Sequence, residues 1–323
     1  MKGTCQNIIQ KNPIPVKGNT YIKEVSSPIE NNINYPINST NTENMNVVSP
    51  NTIQKLKEIV NKADILEIEI ISSLTNQKGL KITINALGMT ENSKRKAFDG
   101  NTFFGFSGDD NKTNDNQEEN TEEINNEIDF VIMPRENNND NKNIGRYFRI
   151  RYDLISMGYL IKGLECGFGT FKKITEKTKL KDCYLINMGN SYIVCSFGID
   201  ELNLSEKSII DADKVLNIKV YSEVQKAEPH FFNPQQFKKI YIGRDISCNI
   251  IVDDTLLSRI HCTIEYKEDE WFIMDGWDND GFSEDKPSTN GTWLCLMEEM
   301  PIKDGMIFKS NQNQYKCNII KQK

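Results

Sequence analysis

KKIYIGRDISCNIIVDDTLLSRIHCTIEY, residues 238–266, alternates apolar and polar residues at both ends and breaks in the middle at Gly-Arg, Asn and Asp-Asp. Ile240 and Ile242 repeat every second residue, as do Cys262 and Ile264. That is the period of a half-buried strand. The stretch therefore predicts strands joined by turns rich in charge. It also sets Ser258 three residues before His261, one of only two histidines in the chain. A strand running through both would point them to opposite faces. No acid is placed to orient the histidine, and no G-x-S-x-G elbow supplies an oxyanion hole. The pair is not expected to catalyse anything.

The same texture extends in both directions. Short β-like runs fill 65–200 (ILEIEIISSL, GLKITINAL, YFRIRYD, SYIVCSFG) and return over 215–320 (VLNIKVYS, EWFIMDG, GTWLCL, YKCNII), parted by Gly, Asn and Asp turns. The halves align. LKDCYLINMGN (180–190) matches IKDGMIFKSNQ (302–312), and GFGTFKKI (167–174) matches TNGTWLCL (289–296). This is an internal duplication of a β-domain. The expected organisation is a disordered segment over 1–50, a short helix over 51–64, sandwiches over 65–200 and 215–320, and a linker over 201–214. The helix follows from Ile53, Leu56, Ile59 and Val60 at helical spacing. Two acidic inserts, 107–127 and 276–287, read as solvated loops.

Composition narrows the function. The chain has 323 residues and a net charge of −7, which argues against direct nucleic-acid binding through bulk charge. No window is apolar enough to span a membrane, and no signal peptide is visible. The eight cysteines form no C-x-x-C pair, so free thiols, no metal site, no cofactor and an intracellular setting, cytoplasmic or nuclear, are expected.

Three motifs then stand in order: Gly243-Arg244 at a strand end, Ser258-Arg259-Ile260-His261 after it, and Thr289-Asn290-Gly291-Thr292 beyond two more strands. Together they resemble the forkhead-associated (FHA) family, β-sandwiches that bind phosphothreonine. The resemblance implies that Arg244 and Ser258 hold the phosphate and that Arg259 and Thr289 flank the peptide. It implies that Asn290 bonds the peptide backbone, that Gly243 and Gly291 permit tight loops, and that His261 ties two loops together. The chemistry is consistent: guanidinium matches phosphate geometry, a hydroxyl adds a directed donor, and an amide offers both donor and acceptor. The acids Asp278, Asp280, Glu284 and Asp285, if they fold toward this site, would favour basic residues flanking the phosphothreonine.

The first half resembles an FHA domain that has lost its site. Gly105-Phe106 stands for Gly-Arg, NIGRYFRI for the serine–histidine motif, and Phe168-Gly169-Thr170 for Asn-Gly-Thr. Gly145-Arg146-Tyr147 can be aligned in two frames. The expectation is a non-enzymatic adaptor. Its C-terminal domain reads a phosphothreonine-containing protein, and its N-terminal copy serves as scaffold. The alternative is a structural component that assembles through both sandwiches without phosphate.

Overall fold

Alternation decides most of the strands. In Ile65–Ser72, Leu66, Ile68 and Ile70 are fully buried while Glu67 and Glu69 face outward. The coordinates, a computed structural model, describe residues 48–106, 128–133, 144–164, 169–198, 214–222, 228–277 and 286–322. The expected disorder over 1–47, the insert 107–127, most of the linker, the acids 278–285 and Phe168 lie outside these. Helix α1 (Pro50–Ile59) starts where Ser49 Oγ accepts the Thr52 N–H at 3.2 Å, with Pro50 in its first turn. It buries Leu56 beside Gly100.

The described chain is otherwise nearly all β. The first repeat gives β1 (Ile65–Ser72), β2 (Lys81–Asn85), β3 (Gly88–Met89), β4 (Asn101–Phe106), β5 (Phe130–Val131), β6 (Gly145–Asp153), β7 (Gly158–Gly163) and β8 (Thr170–Lys173). It ends with β9 (Thr178–Lys179) and the hairpin β10 (Tyr184–Met188) and β11 (Ser191–Phe197). The second gives β12 (Leu216–Tyr221), β13 (Pro229–Phe232), β14 (Lys239–Gly243), β15 (Ile250–Ile251), β16 (Cys262–Lys267), β17 (Glu270–Asp275) and β18 (Thr292–Cys295). It ends with β19 (Met300–Pro301) and the hairpin β20 (Ile307–Ser310) and β21 (Asn313–Ile320).

One 11-stranded sheet, in the order β13-β12-β11-β10-β18-β8-β20-β21-β1-β2-β3, runs through both halves. Two five-stranded sheets, β15-β14-β16-β17-β9 and β19-β7-β6-β4-β5, pack against it. Leu294 enters one core and Leu296, two residues on, the other.

The repeats exchange their ends. β10 pairs with β18, and β20 pairs with β8. β9 joins the sheet of β17, and β19 joins that of β7. Ile186, Met188, Ile193 and Cys195, from the first repeat, pack with Ile240, Ile242, Ile264 and Trp271 of the second. Phe308, Tyr315 and Cys317, from the second, pack with Phe104, Phe148 and Ile150 of the first. The expected boundaries 65–200 and 215–320 therefore do not delimit the packing units. One sandwich is continuous over 178–295, and the other is built from 65–173 and 300–320. The physical reason is that the two hairpins carry similar apolar residues, Leu180, Leu185 and Ile186 beside Ile302, Ile307 and Phe308, so the sequence pattern does not state which sandwich each one closes.

β8 and β18 meet about a pseudo-twofold axis at Lys172 and Leu294, with Trp293 opposite Lys173 and Cys295 opposite Phe171. Ile174 N–H donates to Thr292 O at 2.9 Å, and Leu296 N–H donates to Thr170 O at 2.8 Å. In repeat terms these are one bond made twice. Charge fastens the crossing. Glu299, between β18 and β19, accepts from Arg149 at 2.6 Å and from Arg151 at 2.8 and 2.9 Å. The Arg151 bonds hold the Glu299 carboxyl below its usual range. Cys183 is disulfide-bonded, which corrects the expectation of free thiols throughout. Cys195, Cys248, Cys262, Cys295 and Cys317 are free.

Candidate phosphopeptide site

The candidate residues gather at one end of the 178–295 sandwich. Gly243 closes β14 against the 258–261 segment, and a Cβ there would sit 2.2 Å from Arg259 O. No other residue fits that approach. Backbone bonds then fix the neighbours: Arg244 N–H donates to Ser258 O (3.3 Å), Asp245 N–H to Arg259 O (3.1 Å) and His261 N–H to Ile242 O (2.8 Å). Arg244 and Arg259 are thus held on facing loops, and both are exposed. Among the described residues, no carboxylate pairs with either. Asp245 turns to Ser247, whose N–H and hydroxyl hold its carboxyl below the usual range, with Arg259 and Arg244 adding to the effect.

Ser258 faces the second loop. Its Oγ accepts the Thr289 N–H at 3.0 Å and lies 3.3 Å from Thr289 Oγ1. Asn290 Nδ2 donates to Leu256 O at 2.7 Å. Gly291 adopts φ +77°, a left-handed turn suited to glycine. Beneath them His261 is fully buried. Its Nδ1 accepts the Ser258 N–H at 3.1 Å, so Nε2 carries the proton and donates to Gly291 O at 3.1 Å. Burial lowers its pKa. β16 begins only at Cys262, so Ser258 lies outside the strand and its backbone reaches the ring after all. Its hydroxyl points instead at Thr289, and the other ring nitrogen meets a carbonyl. The nucleophile–base–acid relay is absent from this pair.

Sequence reasoning missed four supporting residues. Asp275 accepts from Ser288 Oγ (2.6 Å) and Thr292 Oγ1 (2.7 Å), bracing the Ser288–Gly291 turn. Trp293 Nε1 donates to Asn290 O at 2.9 Å. Asp254 accepts from Leu256 N–H (2.9 Å) and, across the repeats, from Asn190 N–H (2.8 Å) and Ser191 Oγ (2.9 Å). Lys173 lies against Gly291 from the neighbouring strand. Trp293 stands directly after the third motif, while Asp254, Asp275 and Lys173 carry no local signal.

The first sandwich keeps the frame without these groups. A Cβ on Gly105 would sit 2.2 Å from Gly145 O, as one on Gly243 would from Arg259 O. This settles the ambiguous frame. Gly145 stands at the place of Arg259, Ile144 at that of Ser258, and buried Tyr147 at that of His261. Phe106, at the place of Arg244, packs against the core. The Arg146 guanidinium lies 4.0 Å from the Phe103 ring centroid, which Arg95 also approaches at 5.0 Å.

A family model, the FHA domain, matches residues 240–309. The second repeat carries an FHA domain. FHA domains are in general phosphothreonine-binding protein-interaction modules rather than enzymes. A solved structure, the FHA-1 domain of Rv1747 from Mycobacterium tuberculosis, is similar at 16% identity, covering 32% of this chain and 95% of that one, with a TM-score of 0.17. At that score the likeness adds nothing to the fold, which rests on the strand pairing above. No curated protein matches the chain. No helix among the described residues is long and apolar enough to cross a membrane. No group of His, Cys, Asp or Glu among them could hold a metal ion.

Proposed function

We propose that the chain is a non-enzymatic adaptor whose FHA domain binds phosphothreonine on a partner protein, while the first sandwich acts as scaffold. The observation that carries this is the pair of exposed arginines, Arg244 and Arg259, whose backbones are held on facing loops at Ser258. Arg244 and Ser258 take the phosphate. Arg259 and Thr289 flank the peptide, and Asn290 bonds its backbone. Gly243, Gly291 and His261 shape the loops. In the first sandwich Phe106, Ile144 and Gly145 offer an anion nothing, which supports a scaffold role.

The test is binding of the full chain to a phosphothreonine peptide library with and without phosphatase treatment. Arg244→Ala removes a charge-assisted pair of about 1.5–3 kcal/mol, a roughly 10- to 150-fold loss of affinity. Equal binding of treated and untreated peptides would favour phosphate-independent assembly instead.

A further inference from the structure

The first repeat contributes one residue to the face where the peptide would lie. Lys173, at the end of β8, stands directly opposite Trp293 in the ladder joining the two repeats. Its Cε lies 3.0 Å from the point a Gly291 Cβ would occupy, so the side chain crosses that glycine. Its ammonium, one bond further on, is 5.9 Å from the Trp293 ring centroid. That indole N–H holds the Asn290 carbonyl, and the Asn290 side chain is exposed beside it. The other lysine at this indole, Lys309, lies 4.6 Å from the ring centroid and is engaged, donating to the Asn187 side-chain oxygen. Lys173 pairs with no carboxylate among the described residues. The repeat-related position in the second repeat is Cys295, opposite Phe171, so that position holds no lysine in the first sandwich.

We propose that Lys173 is a third cation of the phosphopeptide surface, supplied by the other repeat, and that it reads an acidic side chain flanking the phosphothreonine. This rests on the reading of Arg244, Ser258 and Asn290 given above. A peptide whose backbone is gripped by Asn290 passes within one side chain of the ammonium. A carboxylate there completes a pair that the free protein leaves open. The pair is partly exposed, so its effect is modest: about three- to fivefold at low salt, fading as salt rises.

The experiment uses the full chain and phosphothreonine peptides identical except for one aspartate or one asparagine, walked through the positions on either side of the phosphothreonine. The readout is the ratio of aspartate to asparagine affinity. The parent is expected to show a ratio of about 3–5 at one position. Lys173→Gln brings that ratio to one. Lys316→Gln, an exposed lysine on β21 of the same sheet, keeps it. A ratio unchanged by Lys173→Gln, or no aspartate preference beside Arg244-dependent binding, overturns this proposal alone. A ratio below one, a bias against acidic flanks, also overturns it and assigns flank reading to the acidic 276–287 segment. Absence of phosphate-dependent binding in the parent overturns this proposal and the one it rests on.

Discussion

Asn187 and Lys309 occupy the same position in the two repeats and bond to each other: the Lys309 ammonium donates to the Asn187 side-chain oxygen. Phe171 and Trp293, also repeat-related, flank that ammonium at 5.7 and 4.6 Å. The seam between the repeats is therefore symmetric in shape and asymmetric in charge. Two lysines there would repel at short range, whereas one lysine and one amide satisfy each other.

The charge still carries a desolvation penalty, and burial lowers the Lys309 pKa from 10.5 to about 8. Between those values the unfolded chain binds a proton that the folded chain has released, so stability rises with pH. The parent should gain stability relative to Lys309→Met as pH climbs from about 8 toward 10.5. Urea unfolding of both proteins across that window measures the difference. A constant gap would mean that the ammonium is well solvated.

The exchange of hairpins makes a second prediction. A fragment covering 215–323 contains the family match but lacks β9–β11. It loses Leu180, Ile186, Met188 and Ile193 from its core. Burial of four such side chains is worth about 6–12 kcal/mol, comparable with the whole stability of a domain, about 5–15 kcal/mol. That fragment should fail to melt cooperatively, or should borrow strands from a second copy. A fragment covering 176–297 keeps every strand of its sandwich and should melt as one unit. Circular dichroism and size-exclusion chromatography separate the outcomes. Cooperative, monomeric melting of 215–323 would refute the exchange.

Sequence made the longer strands legible because they have a dry face: Leu66, Ile68 and Ile70 announce β1 without any partner. It also made the order of the recognition motifs legible, since Gly243-Arg244, Ser258 and Asn290-Gly291 are local turns with local reasons. The exchange was not legible. LKDCYLINMG and IKDGMIFKSN share buried positions at Leu180 and Ile302, Ile186 and Phe308, and Met188 and Ser310, so the residues do not state which core each one enters. For the same reason Asp254 and Lys173 escaped notice. Their partners lie 63 residues or more away in the chain, and only the pairing of β8 and β10 with β18 brings them to the loops.

His261 predicts an acid limit. Its pKa is lowered from 6.5 by burial, and its neutral ring makes both of its hydrogen bonds. Protonation would put a donor against the Ser258 N–H. The stability it contributes is present above pH 6.5 and is lost as pH falls through the folded-state value. His261→Ala should cost about 1–3 kcal/mol at neutral pH through the unpaired groups it leaves. Its stability should also vary less with pH just below 6.5 than the parent's. Thermal melts between about pH 5.5 and 7.5 test this, and parallel curves would contradict it.

Asp254 predicts coupling between the repeats. One carboxylate holds Leu256 N–H in the recognition loop and, through its other oxygen, Asn190 N–H and Ser191 Oγ in the turn of the first repeat's hairpin. Both Asp254 and Ser191 are buried, so breaking the link leaves donors without partners, at about 1–3 kcal/mol. Asp254→Ala should lower stability and also weaken phosphopeptide binding, because Leu256 O accepts from Asn290 and Ser258 follows two residues later. Ser191→Ala removes the same link from the far side, in a segment that sequence assigns to the scaffold copy. It should weaken binding in the same direction, by less. Groups in direct contact do not contribute additively, and a double-mutant cycle on this pair should return an interaction of about 0.5–3 kcal/mol. Were Ser191→Ala to lower the melting temperature while leaving peptide affinity unchanged, and were the two effects to add, the hairpin would close the sandwich without positioning the loop.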